Sequence, residues 1–203
     1  MVATIDPGKQ KAWKLLEALK TDDVCRAAAV NYDAASDHYV VKSFGRDILV
    51  SLKSHTVSSN LPGPDGLPIE YAELFPLAVL WYLALAKDIA ATGRLVHLED
   101  LRGGDIFAKG SHVLPLEKVT QRYGNDRDGF LKKGLDYGGV KVPLADVAVR
   151  FTPLPRVPVT VTLWLADEEF PARADILLDS TCGLQLPTDI LWSLARTTCL
   201  TLL

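Results

Sequence analysis

The chain has 203 residues, a formal net charge of -3 and an apolar fraction of 48%. That is an ordinary globular composition, and it excludes a disordered polyelectrolyte; scattered Lys and Arg with no phosphate-tracking stripe exclude a nucleic-acid coat. A chain this long can bury roughly 70% of its unfolded surface without metal or disulfide staples. Cys25, Cys182 and Cys199 lie far apart with no CxxC spacing, so they read as reduced thiols. The N-terminus lacks the apolar core of a signal peptide, and the longest apolar run, residues 75–86, is too short to span a bilayer. A cytoplasmic protein without membrane or nucleic-acid partners is expected.

Taken in chain order, Asp6-Pro7 reads as an N-cap followed by proline at the first helical position, and Trp13, Leu15, Leu16 and Leu19 form an apolar stripe reaching about Lys20. Thr21-Asp22-Asp23 starts a second short helix through Ala29. Residues 38–52 hold two β-branched, partly alternating runs around Gly45-Arg46, which predicts a hairpin with a two-residue II′ turn. Residues 54–68 gather three prolines and two glycines and predict a long loop. Residues 76–92 are apolar almost all round their first turns, as in a central core helix, with Gly93 as its C-terminal stop.

An extended stretch over residues 94–107 is broken at Gly103-Gly104; Pro115 opens a helix through Tyr123, and Asp126 caps another to about Leu135. Gly138-Gly139 marks a turn. Pro153, Pro155 and Pro158 each lack a backbone donor, which predicts an edge segment, or a strand that starts only after Pro158. Residues 159–165 and 172–179 then alternate as a second hairpin, and Pro187-Thr188-Asp189 starts a final helix. The order predicts a single α+β domain over residues 1–203, with an antiparallel or mixed sheet carrying two hairpins packed on a buried central helix and flanked by others.

With a two-residue turn at Asp167-Glu168, Val159, Val161 and Leu163 face Ile176, Ala174 and Ala172 on the core side, and Thr160 faces Asp175, Thr162 Arg173 and Arg156 Asp179 on the other. The tip carboxylates Asp167, Glu168 and Glu169 then read as a solvated turn, and Arg156, Asp175, Asp179 and Arg173 as a better-placed polar group: a structural ion-pair ladder or a ligand site. No pattern points to a catalytic residue, and His38, His55, His97 and His112 show no metal-ligand spacing. Cys182, just before the last helix, reads as a small buried cysteine or as an activated thiol at a helix N-terminus, and Cys199 as core. Trp81 and Tyr82 read as core. The apolar end of the last helix packs either on its own domain or on a second copy, so a homodimer is one expectation.

The blocks HYVVKSFGRDILVSL, FPLAVLWYL, HLEDLRGGDIF, LPRVPVTVTLWLADEEFPARADILLD and LPTDIL, in that order and over nearly the whole chain, resemble the DUF3786 family, a domain-of-unknown-function family of anaerobic bacteria and archaea. The resemblance brings no assigned activity. It implies a link to anaerobic one-carbon, corrinoid or iron-sulfur metabolism, because some relatives look fused to a four-cysteine iron-sulfur module. This chain has too few cysteines for such a cluster, so an iron-sulfur or corrinoid protein would be a partner. The matching positions Arg156, Asp167, Glu168, Glu169, Asp179 and Asp189 come with no family role.

Three functions remain open from the residues, with the cofactor unassigned. The first is a binding module for a small molecule, cofactor or protein partner, in a pocket walled by residues 54–68, Gly103-Gly104 and the polar face of the second hairpin. The second is an acid-base enzyme using Asp175 or Asp179 with Arg156. The third is a structural homodimeric subunit.

Overall fold

The structure is a computed structural model and describes residues 7–59, 74–104 and 113–203. Pro7 opens helix α1 (Pro7–Glu17), which buries Ala12, Trp13 and Leu16. The helix stops short of Lys20, because Ala18 and Leu19 make the tighter bonds to Leu15 O and Leu16 O and Lys20 turns extended to cap α2 (Thr21–Ala28). The strands β1 (Asn31–Asp33), β2 (His38–Ser43), β3 (Arg46–Ser51) and β4 (Thr56–Ser59) then form an antiparallel four-stranded sheet in chain order. Its β2–β3 pair is the predicted hairpin. The β4 strand falls in what reads as loop from the prolines, and residues 60–68 of that stretch lie outside the described residues.

The turn of the hairpin is one residue earlier than Gly45-Arg46. Ser43 pairs with Arg46, leaving Phe44 and Gly45 at the corner with φ of 47° and 74°, the I′ pattern rather than II′. A bulky aromatic in the left-handed region costs on the order of 1 kcal/mol. Burial offsets it: Phe44 is 2% exposed and packs against Phe75 and Phe151, each with ring centroids 6.2 Å away.

Helix α3 (Leu74–Leu85) is the central helix, apolar on all sides and packed against α1, α2 and the C-terminal helix. It ends at Leu85 rather than Thr92. The buried side chain of Gln185 accepts the Lys87 N–H at 2.8 Å and donates to Ile89 O at 3.1 Å, drawing the chain off the helical path. Gly93, with φ of 79°, bends the chain into the next strand instead of capping the helix.

The second sheet has the order β5-β9-β8-β7-β6 and is antiparallel throughout. It comprises β5 (Leu95–Val96), β6 (Val140–Val142), β7 (Val147–Leu154), β8 (Val157–Trp164) and β9 (Arg173–Asp179). Between β5 and β6 the described residues form a 3-10 turn (Leu98–Asp100) and the helices α4 (Leu116–Tyr123) and α5 (Arg127–Asp136), the latter capped by Asp126 Oδ1 accepting from Gly129 N at 2.8 Å. The short α6 (Cys182–Gln185) and the long α7 (Thr188–Thr201) close the chain against this sheet and α3.

The prolines do not keep β7 and β8 at an edge: β8 is the middle strand, and Pro158 lies inside it. The reason is a bulge. Phe151 faces Val159 but Leu154 faces Val157, so Thr152 and Pro153 together oppose Pro158, and the donors the prolines lack fall where the ladder is already broken. The freed carbonyls serve the other sheet: Thr152 O accepts the Phe44 N–H at 3.1 Å, and Pro153 O accepts from Ser43 Oγ at 2.7 Å. This joint and the Phe44 cluster draw the buried residues of both sheets into one core.

The β8–β9 register is shifted by two residues from the expected one: Val159 faces Leu178, Val161 Ile176, Leu163 Ala174, Thr162 Asp175 and Trp164 Arg173. Residues 165–172 form the connection, rather than a two-residue turn at Asp167-Glu168. An even shift keeps each side chain on its face, so the expected core face survives while every expected cross-strand pair changes.

At the far side of the Phe44 turn, Gly138 sits backbone to backbone on Gly45, with φ of 67°. A Cβ there would lie 2.6 Å from Gly45 Cα. Gly138→Ala is expected to cost about 2–4 kcal/mol, read as a lower denaturant midpoint with an unchanged slope. A wild-type midpoint would show that the two turns do not interlock.

A groove across the second sheet as candidate site

Alternation on β7 and β8 sends Val149, Phe151, Val159 and Val161 into the core and leaves Arg150 and Thr160 on the opposite face, directly across from one another. On that face lies a groove of about 660 Å³. Arg150, Thr152, Pro155, Pro158, Thr160 and Asp179 line it along β7, β8 and β9; Gly93, Leu95, Val142 and Leu144 form its ends and rim. The volume is that of a small-molecule site. Arg150 is exposed, and its side chain makes no hydrogen bond or ion pair with any described residue. Thr160 is 1% exposed and likewise has no side-chain hydrogen bond among the described residues.

Asp179 borders the groove but is fully engaged. It is 1% exposed, and its carboxylate accepts from Gly93 N at 2.6 Å, Thr92 N at 3.2 Å, Thr181 N at 3.0 Å and Thr181 Oγ1 at 2.7 Å. Burial works against the charge, yet the donors of Thr181, Thr92 and Gly93 outweigh it and hold the carboxyl below its ordinary range. Such a group is a structural anion. It ties the Thr92-Gly93 bend to the end of β9 and leaves no proton to give near neutral pH.

The other residues singled out in the sequence are dispersed. Arg156 does not face Asp179; it donates from Nε to Ala27 O at 2.8 Å and from Nη2 to Arg26 O at 3.2 Å, and it pairs with Asp88. Its backbone N–H reaches the Tyr82 hydroxyl, which in turn donates to Ala28 O at 2.7 Å. Arg156 is thus the cation at the C-terminal end of α2, where unpaired carbonyls and the helix dipole favour one. Arg173 stacks on Trp164, 4.1 Å from the ring centroid. Asp175 lies 3.5 Å from His97 Nδ1, beside a smaller cleft of about 310 Å³.

Asp167, Glu168 and Glu169 are exposed at the tip, with Asp167 Oδ1 accepting from the backbone of Glu169 and Phe170; these bonds lower its pKa. Of the expected pocket walls, only the polar face of the β8–β9 hairpin lines the groove among the described residues. Of residues 54–68, the described Ser54 and His55 lie in a turn and Thr56–Ser59 pair in β4, and Gly103-Gly104 sits by Thr188 and Leu98. Asp189 bonds the N–H of Ile190 in the first turn of α7.

Cys182 and Cys199 are buried, and desolvation pushes each thiol up to about 12, the opposite of activation. No group of three or more His, Cys, Asp or Glu side chains among the described residues is placed to hold a metal, and His112 lies outside them. Tyr82 is fully buried and Trp81 partly so, as core residues. No helix among the described residues is long and apolar enough to cross a membrane.

Arg150 is not among the site residues predicted from the sequence. The alternation of Val147-Ala148-Val149-Arg150-Phe151 carries the signal, a lone cation on the outer face of a buried strand, but the prolines that follow hid the strand itself.

The stability of Asp179's network depends on pH. With the folded pKa depressed, its contribution is present above the unfolded value near 3.9 and is lost as pH falls through the folded value. Asp179→Asn is expected to melt lower than wild type at pH 7, by roughly 1–3 kcal/mol. The gap should narrow as pH drops below about 4. A gap constant from pH 7 to 3 would show that the charge contributes nothing.

No curated protein and no solved structure matches the chain. A family model does, over residues 21–201, from α2 to the last residue of α7. With both sheets, the central helix and the groove inside that span, the chain belongs to the DUF3786 family, a domain of unknown function.

Proposed function

We propose that the protein is a binding module that takes a small molecule or cofactor in the groove across the second sheet. The observation that carries this reading is the groove itself: a ligand-sized concavity beside an exposed arginine with no partner among the described residues. Its surroundings are rigid. Proline fixes the chain at Pro155 and Pro158, the bulge anchors β7 to the first sheet, and Asp179 ties down the Thr92-Gly93 rim.

The acid-base alternative draws less support. Asp179 is held charged by its donors, Arg156 is committed to the end of α2, and Asp175 is near the start of β9, next to His97 and outside the groove lining. The homodimer rested on an apolar C-terminal end, and that end is already covered within the chain: Cys199 and Leu202 are 0% exposed. An anaerobic one-carbon, corrinoid or iron-sulfur setting rests on the family resemblance and directs where a ligand or protein partner is sought.

Native mass spectrometry of protein purified without oxygen, with metal analysis and an absorption spectrum, tests the reading. A small molecule or chromophore that dissociates on unfolding is the expected result. Apo protein alone, with no mass added by incubation with a low-molecular-weight cell extract, would remove it.

A further inference from the structure

The groove has a polarity that narrows the ligand. Arg150 supplies its one cationic side chain among the lining residues, and Asp179, the one carboxylate, is already saturated by Thr92, Gly93 and Thr181. Directly opposite Arg150 on β8 stands Thr160, whose hydroxyl makes no hydrogen bond with any described residue; Thr152 follows Arg150 along β7. Cβ atoms of directly opposed residues lie about 5 Å apart. One guanidinium and flanking hydroxyls therefore form a compact head-group site.

From there towards β9 and β5 the lining carries Pro155, Pro158 and Leu95, with Asp179, its carboxylate saturated, paired to Leu95 between the strands, and Val142 and Leu144 on the other flank. The distance from β7 to β9 is two strand spacings, roughly 10 Å. Nothing along it supplies a second free cation among the described residues. A nucleotide or other polyanion would leave charges unmatched, and a wholly apolar ligand would bury the guanidinium without a partner.

We infer that the groove binds an amphipathic monoanion: a single carboxylate or comparable head on Arg150 with Thr160 and Thr152 beside it, and an apolar body running over Pro158 to Leu95. The inference rests on the groove being the binding site and specifies what it takes. Arg150 is an anchoring residue with the planar fork that suits a carboxylate.

Isothermal titration of the full chain with octanoate, 1-octanol and inorganic phosphate tests it. Octanoate has the head and the length; the other two lack one or the other. The expected result is octanoate binding at least tenfold tighter than either, lowered at least tenfold by Arg150→Ala and only partly by Arg150→Lys. Both variants should keep the wild-type melting temperature, because the exposed Arg150 side chain makes no hydrogen bond or ion pair with any described residue. Equal affinity for octanoate and 1-octanol, untouched by Arg150→Ala, would overturn the anionic head while leaving a binding groove. Phosphate binding that needs Arg150, with octanoate no tighter, would overturn the apolar body. Binding of none of the three would overturn the inference, and the native mass spectrum then decides separately whether the binding module falls with it.

Discussion

Two carbonyl groups, Thr152 O and Pro153 O, hold this architecture together. They are free because β7 bulges opposite Pro158, and they are taken by Phe44 N and Ser43 Oγ at the corner of the first hairpin. Without the bulge those carbonyls would belong to the ladder of their own sheet, and the corner of the first sheet would face apolar surface with an unpaired N–H. With it, Phe44 enters the core between Phe75 and Phe151, and Gly45 comes to rest on Gly138. The β7–β8 turn lands beside α2, where Arg156 and Tyr82 take the last carbonyls of that helix. The bonds to Thr152 O and Pro153 O, the Phe44–Phe151 contact and the Arg156 bonds to α2 link the N-terminal hairpin and helix to the β7–β8 pair of the second sheet.

The same bulge shapes the groove. Prolines that lack donors cannot pair normally in a middle strand, and here they line the groove instead, their rings giving rigid apolar wall at no cost in side-chain freedom. Around them the charges are divided between two kinds of work. Asp179 and Arg156 are satisfied by backbone donors and acceptors and hold elements in place, whereas Arg150 faces the groove without a partner among the described residues. This division separates the scaffold of the site from the group offered to a ligand.

Much of the architecture was legible. Caps and proline starts marked α4, α5 and α7, the all-round apolar run marked α3, and alternation in residues 159–165 and 172–179 assigned the correct faces even with the register two residues out, since a pleat repeats every two residues. The pairing was not legible, because it hinged on the length of the connection after Trp164, which Asp167 organises through its own backbone bonds. Nor was the β7–β8 hairpin, since proline forbids a strand only where the ladder needs its donor, and the bulge is a tertiary event. The candidate site suffered most. Charged residues on the hairpin drew attention as a cluster, but Arg156 found helix carbonyls 129 and 130 residues away in sequence, and a solitary arginine in a hidden strand had no neighbours to announce it.

The central claim is that the outer face of the second sheet is a ligand site. A crystal structure of the protein as isolated from cells without oxygen, refined with no ligand added, tests it most directly. The account predicts density for a bound molecule over Thr160 and Pro158 with a polar end at Arg150. A groove filled by Arg150 folded down onto Asp179, or a bound molecule lodged in the cleft at His97 and Asp175 instead, would contradict it.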